Sequence, residues 1–431
     1  MISKPKGTYD VLPDTSRSWA KIEEVMRRIC VLSNYEEIRT PIFETAKTFH
    51  RDEKDSSDMV NKETYDFIDR GNREMTLRPE GTAGVVRAYI ENKLYTTSGI
   101  TKLFYLGPMF RYERQQKGRY RQFSQFGLEA FGSDSPLLDV DIITTAINLL
   151  KAVGLKDIRV RLNTLGDKES RDRYREVLVD YFSKNLDTLC SDCHTRLEKN
   201  PLRILDCKVD KNNPVLVNAP KISDYLNDSS KEHFDHVKRL LDSLNIEYIV
   251  DEKLVRGLDY YSNTVFEIEY ASSEFGAQNV ICAGGRYNSL VSDLGGPETS
   301  AVGLAFGIDR LLLALENEGK KLVKDKTLHA FIIALGDKAS DRAFTLMANL
   351  REAGLSVDMD FKSRSLKAQF KEADNNNSMF TLILGENELE NNVINVKNNN
   401  TKEQVTVSLD EVKEYLVSKF MTACMHCKEQ K

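Results

Sequence analysis

With 431 residues, 29% of them charged and 41% hydrophobic, the chain is long enough for two or three domains with well-buried cores and has an ordinary globular composition. No stretch approaches the roughly 20 uninterrupted apolar residues of a membrane span and the N-terminus lacks a signal-peptide core, so a cytoplasmic location is expected. The formal net charge of -5 leaves a nucleic-acid partner open, because phosphate binding depends on where Lys and Arg cluster, and seven cysteines without a secretory signal point to reduced thiols.

In chain order, apolar positions Trp19, Ile22, Met26 and Ile29 predict a helix over 16–32. A strand-like run over 35–44 then meets Pro41. Over 75–83, MTLRPEGTA reads as a short strand entering a glycine-containing turn, where Glu80 offers a carboxylate to a ligand ammonium. The stretch 103–132 reads as two strands joined by a charged loop. Alternation puts Tyr105, Gly107, Met109 and Arg111 on one face of the first strand, and Gln125, Gly127 and Glu129 on one face of the second. Glycine at the centre of that polar face leaves room for a ligand to lie on the backbone. In the loop, Arg111, Arg114, Lys117, Arg119 and Arg121 face a single acidic residue, Glu113, which marks a polyanion site in an otherwise acidic chain.

A helix over 139–153 and a strand over 158–163 follow, and then a charged, helical stretch over 167–250 with helices at 169–182 and 231–244. Within it, Cys190, Cys193, His194 and Cys207 offer a zinc ligand set. Against it stand the adjacency of Cys193 and His194 and the lack of a second CxxC nearby, and haem attachment does not suit a reduced setting. A further CxxC, Cys424 and Cys427, reads as part of a disordered tail. Over 254–270, an Arg-Gly pair precedes Tyr260 and Tyr261, at least one of which is expected to line a pocket. Residues 279–290 read as a strand, a turn at Gly284 and Gly285, and a helix. The strand 303–306 then enters a helix that buries Ile308, Leu311, Leu312 and Leu315, with Arg310 off the stripe in its first turn, where a cation opposes the helix dipole and needs an anionic partner. After a charged linker over 316–327, strands and helices alternate as in a small α/β domain with a largely parallel sheet, with loops at 375–377 and 398–400.

Taken together, RTPIFE, TLRPEGTA, the 103–132 hairpin, RGLDYY, AGGRY and GLAFGIDR resemble the motifs of class II aminoacyl-tRNA synthetases, in their histidyl-tRNA synthetase version, over nearly the whole chain. The resemblance implies an α+β catalytic core with an antiparallel sheet (1–166 and 251–318), a helical insertion (167–250) that embraces the acceptor arm of tRNA, and an anticodon-binding α/β domain (328–431). It implies a homodimer through 35–44, with L-histidine, ATP and tRNA(His) as partners. Mg²⁺ enters with ATP, and no metal is expected from the protein alone.

The same resemblance assigns roles residue by residue. Glu80, Gly81, Thr82, Gln125, Glu129, Arg256, Tyr260 and Tyr261 would hold histidine. Arg111 and Arg256 would be catalytic at the α-phosphate, with Arg111, Gln125 and Arg310 on ATP. Arg114, Gln116 and Arg119 would meet the acceptor end, with Lys117 on phosphate. Gln115 stands where the family often has Pro, Ser124 where it often has His, and Asp309 where the class often has Glu. The Ser124 departure puts in question a polar contact near the histidine site. The alternative within this fold is the histidine-sensing regulatory subunit of ATP phosphoribosyltransferase, which usually lacks the C-terminal domain and erodes the motif that the 103–132 hairpin carries here.

Overall fold

The computed structural model describes residues 2–51, 58–114, 116, 118–256, 260–272, 279–323 and 325–426, without the side chains of 58, 61 and 421–426. Gln115, Lys117 and the tail pair Cys424 and Cys427 therefore lie outside the described residues or side chains. The chain divides into two compact units, 1–323 and 324–431. Among the described residues no helix is long and apolar enough to cross a membrane.

The first unit is built on an eight-stranded sheet in the order Glu36–Glu37, Thr101–Phe110, Gln122–Phe131, Ala301–Gly307, Val280–Arg286, Ser262–Tyr270, Ile158–Thr164 and Tyr248–Val250. The central pairings are antiparallel, and only the two short edge strands add in parallel. Each face of the sheet carries its own core. On one face, Phe104, Phe126, Leu128, Phe266, Ile268 and Phe306 pack against the helices Pro13–Leu32, Pro136–Ala152, Asp228–Ser243 and Ile308–Asn317. On the other, Tyr105, Met109, Phe131 and Val265 meet the helix Thr82–Glu91 and the helical segment that begins with Lys168–Ser183. The alternating strands thus put the apolar set on the helix layer and turn the Arg/Gln/Glu set towards the opposite side.

Local capping explains where the helices start. Ser135 Oγ accepts from the Leu137 amide at 3.3 Å ahead of Pro136. The helices Lys168–Ser183 and Asp228–Ser243 cap each other as well as themselves. Asp167 accepts from the Ser170 amide at 2.9 Å, Asn227 from the Ser230 amide at 2.9 Å, and the Asn227 side-chain amide donates to Asp167 at 2.7 Å.

Three expectations change here. Gly284 and Gly285 form no turn: they lie inside the strand Val280–Arg286, because a Cβ on Gly284 would sit 2.3 Å from the Gly303 carbonyl and one on Gly285 2.6 Å from the Thr264 carbonyl. The turn after Glu80 continues into the helix Thr82–Glu91, capped by the Glu80 carboxylate on the Ala83 amide at 3.1 Å. Finally, the helix Asp228–Ser243 and the strand Tyr248–Val250, read as part of the helical insertion, pack into the layer and sheet of the core. A three-stranded antiparallel sheet of Phe43–Thr45, Glu74–Leu77 and Tyr65–Ile68 accompanies the large one.

In the second unit, Ala330–Ala334 pairs in parallel with Val357–Met359 and Phe380–Leu384, and the sheet continues through the antiparallel Val393–Asn398 and Gln404–Ser408. The sheet is therefore mixed rather than largely parallel: Asn398 Oδ1 accepts from the Asn400 and Thr401 amides at 2.9 and 3.2 Å, and its Asx turn reverses the chain into a hairpin. The helix Asp337–Glu352 packs its Ala339, Ala343, Leu346 and Leu350 stripe on this sheet.

Candidate active site

A cavity of about 910 Å³ opens on the polar face of the large sheet. Its walls bring together Arg111, Arg256 and Arg310 with Glu80, Thr82, Gln125, Tyr260, Tyr261, Gln116 and Arg119. These come from segments as much as 230 residues apart, Glu80 to Arg310, and only the sheet order makes them neighbours.

At one end lies a cluster of guanidinium groups. Arg111 donates from Nε to the Pro79 carbonyl at 2.8 Å and lies over the Phe123 ring, 5.1 Å from its centroid. Glu113 is 3.3 Å from Arg119 and 3.8 Å from Arg111. Arg310 donates to the carbonyls of Gly118 at 3.3 Å and Val280 at 3.0 Å. Burial holds the Arg310 pKa below the usual guanidinium value, and Arg119 and Arg111 beside it act in the same direction against the opposing pull of Glu113 and Glu267. Arg119 and Arg111 act on Arg310 as like charges, and an anion among the three would relieve that repulsion.

The other end is a polar, aromatic-walled recess. Tyr260 donates to Glu80 Oε2 at 3.0 Å, lies edge-on to Tyr287, and has its ring centroid 4.9 Å from that of Tyr261. Both tyrosines of the pair line the cavity. Burial, ahead of the opposing effect of Arg256, pushes the Tyr261 hydroxyl up to about 12, so it stays protonated and able to donate. Arg256 bridges the two ends. It pairs with Glu267 through Nη1 and lies over Tyr261, and its buried Nε finds no hydrogen-bond partner among the described residues. Burial works to lower the Arg256 pKa, but Glu267 and the tyrosines outweigh it and the guanidinium stays charged. The Gln125 carbonyl oxygen is likewise buried without a partner there. Donor and acceptor groups left open in a buried wall are what a polar ligand completes.

Several sequence-level assignments take a different place. Glu129 is fully buried and sits behind the wall rather than on it: it accepts from Thr82 at 2.7 Å and from Tyr287. Gly303, opposite it in the ladder, makes room for that carboxylate, since a Cβ there would overlap it. Gly81 and Arg114 are also off the wall, Arg114 in solvent. The glycines of the hairpin leave no space for a ligand. The Tyr105 ring occupies the position a Cβ on Gly127 would take, and Arg78, held by the carbonyls of Thr40 and Pro108 at 3.0 and 2.9 Å, fills the one above Gly107. Ser124 lies on the opposite face from Gln125 and off the cavity wall, its amide donating to Asp309 at 3.1 Å, so the departure there does not reach the recess.

Burial pushes the Glu129 carboxyl up to about 8, ahead of the lowering effect of the Tyr287 and Thr82 hydroxyls. Between about pH 4.5 and 8 the folded protein therefore holds a proton that the unfolded chain has released, and stability falls as pH rises through that window. Glu129→Gln is expected to flatten this slope in urea unfolding measured at a series of pH values. An unchanged slope would mean that Glu129 is ionised in the folded state.

Other wall residues had no individual signal in the sequence. Arg161 reaches Asp251, Glu269 at 2.8 Å and Glu267 at 3.4 Å and forms part of the wall beside Arg256. The alternation that puts Glu267 and Glu269 on one face of their strand could have identified the carboxylates. It could not have found their partner, 106 residues earlier. Asp309 is held by the Tyr9 hydroxyl from the N-terminal segment, and burial raises its pKa.

The sequence profile of the family described as Histidyl-tRNA synthetase matches residues 7–311, and that described as Anticodon binding domain matches residues 329–419. The chain belongs to the histidyl-tRNA synthetase family. It is 49% identical over 413 residues to a histidine–tRNA ligase of Geobacillus sp., covering 96% of this chain and 98% of that one, and equally so to one of Lysinibacillus sphaericus. Its fold is similar to the crystal structure of apo S. aureus histidyl-tRNA synthetase, with a TM-score of 0.84 and 42% identity over 97% of this chain and 100% of that chain. In this family the core sheet described above is that of a class II synthetase, and the second unit corresponds to the anticodon-binding domain.

Proposed function

We propose that this cavity joins L-histidine to ATP and then passes the histidyl group to the 3′ end of tRNA(His). A histidine carboxylate oxygen attacks the α-phosphate, the bond to the β-phosphate breaks, and pyrophosphate leaves. A hydroxyl of the terminal ribose then takes the acyl group and releases AMP. The observation that carries this reading is the sharing of one cavity by Arg111, Arg256 and Arg310 with the Glu80–Tyr260 recess. A carboxylate is already a nucleophile at neutral pH, so the site needs cations and positioning groups rather than a base.

In this reading Arg111 and Arg256 meet the charge developing at the α-phosphate and Arg310 holds the far phosphates. Mg²⁺ enters with the triphosphate and neutralises part of its charge. Glu80 and the open Gln125 carbonyl receive the histidine ammonium, and Tyr260 and Tyr261 wall its ring. Glu129 and Gly81 act from behind, holding Thr82 and the start of its helix. Gln116 and Arg119, with Arg114 outside, receive the acceptor end.

The protein works in the cytoplasm as a homodimer. Ile42, Phe43, Phe67 and Ile68, each exposed on or beside the small sheet, support an interface there. The helical segment after residue 167 embraces the acceptor arm.

ATP–pyrophosphate exchange measured across the amino acids, with and without tRNA, tests the reading: exchange is expected with histidine alone. Histidine binding without exchange would instead favour the regulatory-subunit alternative. The arginine set on the wall and the C-terminal unit both speak against that alternative.

A further inference from the structure

Outside the cavity wall, one cluster of side chains has the spacing of a ligand set. Cys190, Cys193, Cys207 and Asp210 each present one donor atom, and these atoms all lie within 4.8 Å of one another. Cys193 and Cys207 are buried, and Cys190 and Asp210 half-buried. The Sγ atoms of Cys190 and Cys207 are 3.6 Å apart, and Cys207 Sγ is 3.5 Å from Asp210 Oδ2. A tetrahedral zinc ion with its usual bond lengths separates two thiolate sulfurs by about 3.8 Å and a thiolate sulfur from a carboxylate oxygen by about 3.5 Å. His194, the fourth candidate from the sequence, turns away and places Nε2 3.2 Å from the Leu189 carbonyl. Asp210, three residues beyond Cys207, takes the position instead.

We propose that Cys190, Cys193, Cys207 and Asp210 bind one zinc ion, as a closed structural site of three thiolates and one carboxylate. Cys190 is the N-cap of the helix Ser191–Lys199 and Cys193 lies in its first turn, where the helix favours negative charge. The Asp210 amide points at Cys207 Sγ at 3.5 Å, and the Cys190 amide donates to Asp210 Oδ2 at 2.9 Å, so the second shell orients two ligands. Four protein ligands complete a tetrahedron and leave no position for substrate, which makes the role structural.

The location gives the site a consequence. Asp206 and Lys208, on either side of Cys207, line the large cavity. The ion ties the helix Ser191–Lys199 to that short segment and thereby fixes the cavity wall that the helical segment supplies.

The test is metal analysis of the untagged, full-length protein after dialysis against metal-free buffer without chelator. One zinc per chain is expected, lost in Cys193→Ser and in Cys207→Ser, and retained in Cys424→Ser/Cys427→Ser, which removes the other CxxC. Cobalt substituted into the wild type is expected to show thiolate charge-transfer bands and the intense visible bands of tetrahedral coordination, a readout that holds even if the single variants fold poorly. Three freely reactive thiols at these positions with no bound metal would overturn the proposal. So would a Cys190–Cys207 disulfide in the protein as isolated, a cobalt spectrum without thiolate bands, or zinc that disappears only with the tail cysteines.

Discussion

Replacing Arg256 with alanine is expected to lower histidine-dependent ATP–pyrophosphate exchange by on the order of 10²–10³, the usual effect of removing one preorganised charge from a developing oxyanion. The structure explains why the loss would fall on the rate and not on the fold. The side chain is 20% exposed, and its carboxylate partner Glu267 keeps a second cation, Arg161, at 3.4 Å. No buried charge is therefore stranded, and the unfolding free energy is expected to fall by only about 1 kcal/mol. The rate would fall because Arg256 joins the arginine cluster to the tyrosine recess, with its Nε directed at neither Glu267 nor any other described partner. A contact made only as charge moves onto the phosphate lowers kcat and kcat/KM together, whereas a ground-state contact raises KM alone. Arg256→Lys is expected to recover only part of the activity, because an ammonium cannot hold Glu267 and a phosphate oxygen in one plane. Exchange near the wild-type rate in the alanine variant would remove Arg256 from the mechanism.

The largest stability effect is expected off the cavity wall, at Arg286 in the AGGRY stretch. This guanidinium is fully buried, as is its partner Asp139. It donates to Asp139 at 2.6 Å and to the carbonyls of Ser133 and Ser135 at 2.8 Å each, and so joins the end of the strand Val280–Arg286 to the start of the helix Pro136–Ala152. Arg286→Met leaves Asp139 in the core with His233, at 3.5 Å, as its remaining ion-pair partner among the described residues. Removing one member of a buried pair costs about 3–5 kcal/mol, which urea unfolding would register as a large fall in midpoint. The double variant Arg286→Met/Asp139→Leu is expected to recover much of the loss, because no charge remains to be desolvated. A fall under about 1 kcal/mol in the single variant would show that the pair is dispensable.

The same pair has a pH signature. Burial alone would raise the Asp139 pKa, but His233 and Arg286 together hold it below the ordinary aspartate value. Its contribution is complete above the unfolded-state value of about 3.9 and is lost as pH falls through the lower folded-state value, so wild type and Arg286→Met are expected to converge in acid.

Much of the architecture was legible along the chain, for a local reason. The helices Pro13–Leu32 and Ile308–Asn317 each bury one side, which prints a period of 3.6 on the sequence, and the hairpin strands alternate in chemistry because their two faces meet different surroundings, an apolar helix layer and a polar wall. The same alternation separated Gln125 from Phe126 and directed Arg111 to the polar face. It failed where both sides are buried or where the cause lies in a neighbouring strand. The helix Thr82–Glu91 is apolar nearly all round, with only Arg87 and Ile90 partly exposed before its last residue, and so carries no clear stripe. Gly284 and Gly285 answer to the Gly303 and Thr264 carbonyls.

By itself, then, the sequence determined the elements, the chemistry of the cation cluster and the family that its motifs resemble, because each rests on residues near one another in the chain. Only the tertiary structure decided depth and partnership: Glu129 behind Thr82, Arg78 in the space over Gly107, Arg161 beside Glu267, Arg286 on Asp139, and Asp210 in place of His194. Most of these contacts close loops of tens to more than a hundred residues, and no local period encodes which buried charge a distant segment will bring to it.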